Sequence, residues 1–222
     1  MTNTLTSSPV APLLERLFAQ ADEASCALRA MAAELPPGEL ARLMQSKTDY
    51  VDFYARLKDQ PLPVSRATGT LLYMLARHAG AREIVEYGTS FGLSTLHLAA
   101  ALRDNGGGHL ITCEFEPSKV DRARENLAAA GLTDLVEIRV GDALQTLRNG
   151  LPQSIDLVLL DGAKALYPEI LGLLQSRLRP GALIIADNAD HCPEYLALVR
   201  APANGYLSTP FAEDVELSMR LG

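Results

Sequence analysis

The chain has 222 residues, 48% of them apolar and 21% charged, which suits one sizeable α/β domain with a short extra element at one end. That composition excludes a disordered tail protein, a fibrous repeat and a disulfide-stapled miniprotein. A formal charge of −7 argues against a non-specific phosphate-backbone binder, because such binding needs clustered Lys and Arg.

Residues 1–12 form a Ser/Thr/Pro-rich lead-in without the basic start and apolar centre of a secretory signal. No apolar run approaches the roughly 18 residues that span a bilayer. Cys26, Cys113 and Cys192 lie far apart with no CxxC pair, which points away from a zinc knuckle or redox couple and toward a reducing, cytoplasmic setting. From Leu13 to about Leu35, residues such as Leu14, Leu17, Phe18, Ala21 and Leu28 recur at helical spacing, so an amphipathic helix is expected, ended by Pro36-Pro37-Gly38. A second helix is expected over Glu39–Leu57, and Pro61 and Pro63 then mark a boundary. Residues 1–60 are thus expected to be a helical extension and residues 61–222 the α/β domain.

Beyond residue 64, short apolar runs alternate with helical stretches, the pattern of βα units on a mostly parallel sheet. Strands are expected at Glu83–Tyr87, Leu110–Glu114, Val136–Val140, Asp156–Asp161 and Leu183–Asp187. Helices are expected at Thr68–His78, Leu93–Arg103, Pro117–Ala130 and Pro168–Leu178, with Pro117 at a first helical position and Gly131 just past a helix end. Tyr206–Phe211 and Val215–Leu221 are close enough to pair as a closing antiparallel hairpin. No internal repeat or low-complexity tract is present.

In an open parallel sheet, ligands bind at the carboxyl ends of the strands, near the point where the strand order reverses. The residues there are acidic: Glu86-Tyr87-Gly88-Thr89-Ser90-Phe91-Gly92, Glu114, Gly141-Asp142-Ala143, Asp161-Gly162-Ala163-Lys164 and Asp187-Asn188. A pyrophosphate site would want glycine-backed amides and little negative charge. The first loop is GxxxG rather than GxGxxG, and Glu114 can accept both hydroxyls of a ribose. The combination suits an adenosine ligand without phosphates, and S-adenosylmethionine (SAM) fits that description. Asp161, Asp187 and Asn188, on adjacent strand ends, bring two carboxylates and an amide oxygen together as a set suited to Mg²⁺, Ca²⁺ or Mn²⁺. The alternative is that these residues only cap helices and turns. Lys164 is a candidate general base at the same rim, its ammonium disfavoured beside a cation, or else a solvated surface lysine.

The stretches EYGTSFGLSTLHLA, ITCEFEP, GDA, LLDGAK and ADN, in this order and spacing, resemble the cation-dependent O-methyltransferases of the catechol and caffeoyl-CoA type. The resemblance covers about Pro61 to Gly222 and implies a Rossmann-like, doubly wound, mostly parallel seven-stranded sheet with an antiparallel C-terminal hairpin and N-terminal helices. It implies that Val64, Glu86, Gly88, Thr89, Ser90 and Ser94 line the methionine end of SAM, and that Glu114 holds the ribose. By the same resemblance, Phe115, Asp142 and Ala143 flank the adenine, and Asp161 also lies against the cofactor. Asp161, Asp187 and Asn188 would ligate the cation, and Lys164 would take the proton of a catechol-like acceptor. A homodimer is implied as well. Relatives also use N-terminal segments for substrate contacts.

The sequence departs from the family at Ala189-Asp190-His191-Cys192, where many relatives have an apolar residue and a nearby glycine. Asp190 or His191 would either touch the substrate or metal or belong to a polar surface loop. The chain has no tryptophan, so the acceptor pocket lacks the tryptophan walls of the animal catechol enzyme. No counterpart of that enzyme's acidic residue on the second catechol hydroxyl is evident. Tyr50, Phe53 and Tyr54 either roof the acceptor pocket or form the apolar side of a packed helix. His78, His97 and His109 have no metal-ligand spacing and are expected to be structural. Against the cation-dependent reading stand a metal-independent SAM methyltransferase using Lys164 alone, a non-catalytic SAM-binding protein and an NAD-dependent oxidoreductase. The last is opposed by the missing GxGxxG.

Overall fold

The computed structural model describes residues 3–211 and 214–222. Three helices precede the sheet domain: α1 (Val10–Ala33), α2 (Glu39–Met44) and α3 (Tyr50–Ala55). The single helix expected over Glu39–Leu57 is therefore two short ones. The break follows from Ser46, whose hydroxyl accepts the backbone N–H of Thr48 and of Asp49 (3.3 and 3.0 Å) and competes with helix continuation. After it come α4 (Arg66–His78), β1 (Glu83–Tyr87), α5 (Leu93–Asp104), β2 (His109–Glu114), α6 (Pro117–Ala130) and β3 (Val136–Val140). The chain continues through α7 (Ala143–Thr146), β4 (Ile155–Leu160), α8 (Tyr167–Leu174), β5 (Leu178–Ala186), α9 (Pro193–Arg200), β6 (Tyr206–Phe211) and β7 (Val215–Arg220). Asp161 and Asp187 thus follow their strands by one residue, and α7 and α9 have no counterpart in the expected elements.

The sheet order is β3-β2-β1-β4-β5-β7-β6. The first five strands are parallel, while β7 runs antiparallel to both β5 and β6. This is the expected mostly parallel seven-stranded sheet with its closing hairpin. Because side chains alternate across a strand, even a wholly apolar run feeds two cores. Ile84, Leu110, Leu157 and Ile185 face one side with α1, α4, α5 and α6. Val85, Ile111, Val158 and Ile184 face the other with α8 and α9. Helix α1 belongs to the first core through Val10, Leu13, Leu14, Leu17 and Phe18, all buried. Among the described residues no helix is long and apolar enough to cross a membrane.

The local chemistry of the ends sets where the site opens. Ser65 caps α4 by accepting the Thr68 N–H at 3.0 Å. Helix α5 is buried along almost its whole length, and it reaches α4 at Gly69, where a Cβ would come within 2.7 Å of the His97 ring. His97 is held by Leu93 O at 2.8 Å, His109 lies between Glu83 and Glu137 (3.7 and 3.4 Å), and His78 is exposed at the end of α4. None of the three lines either of the large cavities at the strand ends.

Candidate active site

The strand order reverses beside β1, which has β2 on one side and β4 on the other. Two cavities meet outside the carboxyl ends there, one of about 720 Å³ and a wider one of about 1760 Å³. Tyr54, Leu62, Asp161 and Gly162 line both. The backbones at the junction are packed without clearance. Gly88 has φ +103°, and a Cβ on it would sit 2.6 Å from the Asp161 carbonyl oxygen, so only glycine lets β1 and β4 approach this closely. Asp161 N–H donates to Tyr87 O at 2.8 Å, and the Tyr87 hydroxyl accepts the Ala163 N–H at 3.1 Å.

In the smaller cavity, Glu114 ends β2 with its carboxylate held by two backbone amides, Ser90 N–H at 2.9 Å and Glu116 N–H at 3.0 Å. Ser90 reaches it from a left-handed conformation (φ 48°). Burial raises the Glu114 carboxyl above its ordinary range, opposed by those amides and by Lys119. Asp142 caps α7 by accepting Leu144 N–H at 2.9 Å. Asp142, Phe115, Ala143, Gly88 and Ser90 all line this cavity with Glu114. Val64 lies on the wall of the wider one.

Three further residues expected at the cofactor, Glu86, Thr89 and Ser94, do not line this cavity and are buried next to it. Glu86 is completely buried, its two oxygens accepting from Ser94 (2.5 Å) and Thr95 (2.6 Å). Thr89 shares a 2.6 Å hydrogen bond with Thr112. Burial pushes the Glu86 carboxyl up to about 7, against the pull of its hydroxyl partners. The structure therefore gives Glu86, Thr89 and Ser94 a supporting place under the glycine loop.

At the junction, Asp161 accepts the Lys164 ammonium at 2.8 Å, both side chains being buried. Asp187 is buried beside them. Its carboxyl is pushed up to about 7 by burial and by the charge of Asp161. Asn188 donates its amide N–H to Asp214 at 3.0 Å, and its Oδ1 accepts no hydrogen bond among the described residues. Tyr167 fixes the strand end by donating to Asp187 O at 2.7 Å. Among the described residues there is no cluster of three or more His, Cys, Asp or Glu side chains placed to hold an ion. The set here is two carboxylates and one amide oxygen. Two carboxylates pressed together in a buried place repel each other, and oxygen donors of this kind fit a hard divalent cation that would neutralise both.

Lys164 takes its charge state from the groups packed around it. Burial alone would depress it, but Asp161, Tyr54 and Asp187 outweigh burial and hold the ammonium above its usual pKa. It is charged as long as those two carboxylates are.

The sequence left the place of Tyr50, Phe53 and Tyr54 open, and the structure divides them. Tyr50 and Tyr54 line the smaller cavity, whereas Phe53 packs with Leu43 and Leu57. Phe53 and Tyr54, with Phe18, Leu28 and Met44 from earlier in the chain, also wall the wider cavity. Asp190 and His191 line neither, and His191 sits instead by a small surface pocket near Cys192. Lys119, which also lines the smaller cavity, was not anticipated.

Residues 85–189 match the family described as a methyltransferase domain. The catechol O-methyltransferase of Niastella koreensis is 38% identical over 130 residues, 57% of this chain and 58% of that protein. The chain thus spans less than three fifths of that relative's length. Catechol O-methyltransferase B of Danio rerio is 30% identical over 180 residues, covering 78% of this chain and 67% of that protein. Among solved structures, the O-methyltransferase TomG of Streptomyces achromogenes, in complex with SAM, superposes with a TM-score of 0.63 at 29% identity, covering 83% of this chain and 95% of that one. By the extent of its match to the Danio rerio enzyme, the chain belongs to the O-methyltransferase family of the catechol type.

Proposed function

We propose that this protein transfers a methyl group from SAM to one hydroxyl of a small acceptor with two adjacent phenolic hydroxyls, in a divalent-cation-dependent reaction. The observation that carries this reading is the position of Asp161: it lines both cavities and holds Lys164 at 2.8 Å. The smaller cavity suits the cofactor and the wider one the acceptor, so the transferring atoms meet at one buried group.

Glu114 would hold the ribose hydroxyls, while Phe115, Asp142 and Ala143 flank the adenine. Bound there, SAM supplies an electrophilic methyl on a sulfonium. Asp161, Asp187 and Asn188 would hold the cation, whose charge lowers the pKa of a phenolic hydroxyl toward neutrality. Neutralising the two aspartates also removes what keeps Lys164 protonated. Burial then dominates, and the neutral Nζ can take the acceptor's proton. Tyr54, which lines both cavities, shields the junction from water and keeps the local dielectric low. The resemblance also carries a cytoplasmic homodimer with it, for which sedimentation of the purified chain at twice the monomer mass is the check.

The test is methyl transfer from SAM to catechol with Mg²⁺ and then with excess chelator. Product that vanishes with chelator supports the reading, whereas product unaffected by chelator favours Lys164 acting alone. Lys164→Met is expected to lower kcat by about 10²–10⁴-fold while S-adenosylhomocysteine (SAH) binds within about twofold of wild type, as measured by calorimetry. Full activity in that variant would remove Lys164 from the mechanism.

A further inference from the structure

Helix α6 begins with a residue that works against its own surroundings. Lys119 is the third residue of α6, in the turn where the helix dipole is positive and a cation is disfavoured. Its neighbours in the chain offer no surface for it, as the residue is only 4% exposed. Its backbone N–H is used, donating to Glu116 O at 3.1 Å. Its ammonium has neither a hydrogen bond nor an ion pair among the described residues, although it carries three donors. The fully buried side-chain atoms without a partner among the described residues are Glu169 Oε2, Tyr195 OH and Tyr206 OH, so the Lys119 Nζ keeps access to the cavity it lines, where a bound ligand can take its hydrogen bonds.

Its location says what would complete it. Lys119 lines the smaller cavity and is the lone cation there among the described residues, facing Glu114, Glu116, Asp142 and Asp161. Burial lowers its pKa, and Glu114, Glu116 and Asp161 only partly restore it. Glu114 accepts one backbone amide on each carboxylate oxygen, from Ser90 and Glu116 at 2.9 and 3.0 Å, and each oxygen keeps a further lone pair for a ligand hydroxyl. The unmet need is for neutral oxygen acceptors next to Glu114.

Resting on the SAM-dependent reading above, we propose that Lys119 is a cofactor-binding residue that donates hydrogen bonds to the ribose hydroxyl oxygens of the adenosyl group. Glu114 and Lys119 then form a matched acceptor and donor for one ribose. Each hydroxyl can give its proton to the carboxylate and receive one from the ammonium.

The experiment is calorimetric titration of the full-length protein with SAH, without acceptor or cation. Lys119→Met, which keeps the apolar stem and removes the ammonium, is expected to weaken SAH binding about tenfold or more. Its unliganded melting temperature is expected to stay level or rise, because an unpaired buried charge is gone. A structural lysine would give the opposite pair, a lower melting temperature with affinity unchanged. A second ligand locates the acceptor atom. With an SAH analogue lacking the ribose hydroxyls, the penalty of Lys119→Met should shrink to about twofold or less. Equal SAH affinity in wild type and variant overturns the proposal, and an undiminished penalty with the analogue overturns the assignment to the ribose. If Lys119→Met does not fold, Lys119→Gln serves instead, with a loss of about threefold or more in support and equal affinity against. A wild-type protein that binds no SAH would overturn the methyltransferase reading itself, an outcome distinct from the others.

Discussion

Glu86 is a fully buried carboxyl, held by Ser94 and Thr95 under the glycine loop. Burial raises it to about 7 from an ordinary value of 4.5. In the unfolded chain it loses its proton near pH 4.5, while in the folded protein it keeps the proton to about pH 7. Its favourable difference is present in full below the lower value and is lost as pH rises through the higher one. The expected loss between pH 4 and 8 is on the order of 3 kcal/mol. Glu86→Gln, which cannot titrate, should show a flatter dependence of unfolding free energy on pH by about that amount, measured by urea denaturation. Parallel profiles for the two proteins would show that folding leaves the pKa of this carboxyl unshifted. Glu86 was legible as a residue of the site because it ends an apolar strand, but its depth was not. The same spacing serves a side chain on the cavity wall and one beneath it. Lys119 was illegible for the converse reason, since a lysine in a helix reads as a solvated face until burial is known.

At the scale of elements, the part of the site farthest from the sheet in sequence is the roof. Helix α3 brings Tyr50 and Tyr54 over the smaller cavity, and the link between α2 and α3 is tied down by Lys47. Its ammonium bridges Glu169 on α8 and Glu194 on α9, each at 2.7 Å. All three side chains are substantially exposed, so the clamp is worth at most about 1 kcal/mol. Lys47→Met should accordingly speed SAH release by up to about fivefold, followed by displacement kinetics, with little change in melting temperature. An unchanged release rate would mean that the roof is held by its apolar contacts alone. The βα units and the hairpin were readable because buried parallel strands give continuous apolar runs bounded by glycines. The roof was not, because α2 and α3 are too short to show a periodic face and are held by partners more than a hundred residues away.

For the molecule as a whole, the wider cavity is assembled from distant parts of the chain. Its polar floor comes from Asp161, Lys164, Asp187 and Asn188, and its apolar wall from Phe18, Leu28, Met44 and Phe53. Helix α1 therefore does two things at once, closing the core above α5 and α6 with its first half and lining the wider cavity with its second. Leu28→Trp should raise KM for a bulky catechol about tenfold through overpacking, and leave SAH affinity unaltered. A KM that does not move would place the acceptor elsewhere. The polar floor was legible from strand ends, whereas the wall was not, since an apolar helical stripe looks the same against a core or a substrate.

This division has a consequence for how such proteins diversify. The groups proposed to perform the transfer lie downstream of Pro61 and Pro63, and most of the apolar lining of the wider cavity lies upstream. A single genetic crossover between two relatives near those prolines would graft a new acceptor preference onto an unchanged reaction. Natural variety in acceptors can then accumulate in the first quarter of the chain under little constraint from the chemistry that follows it.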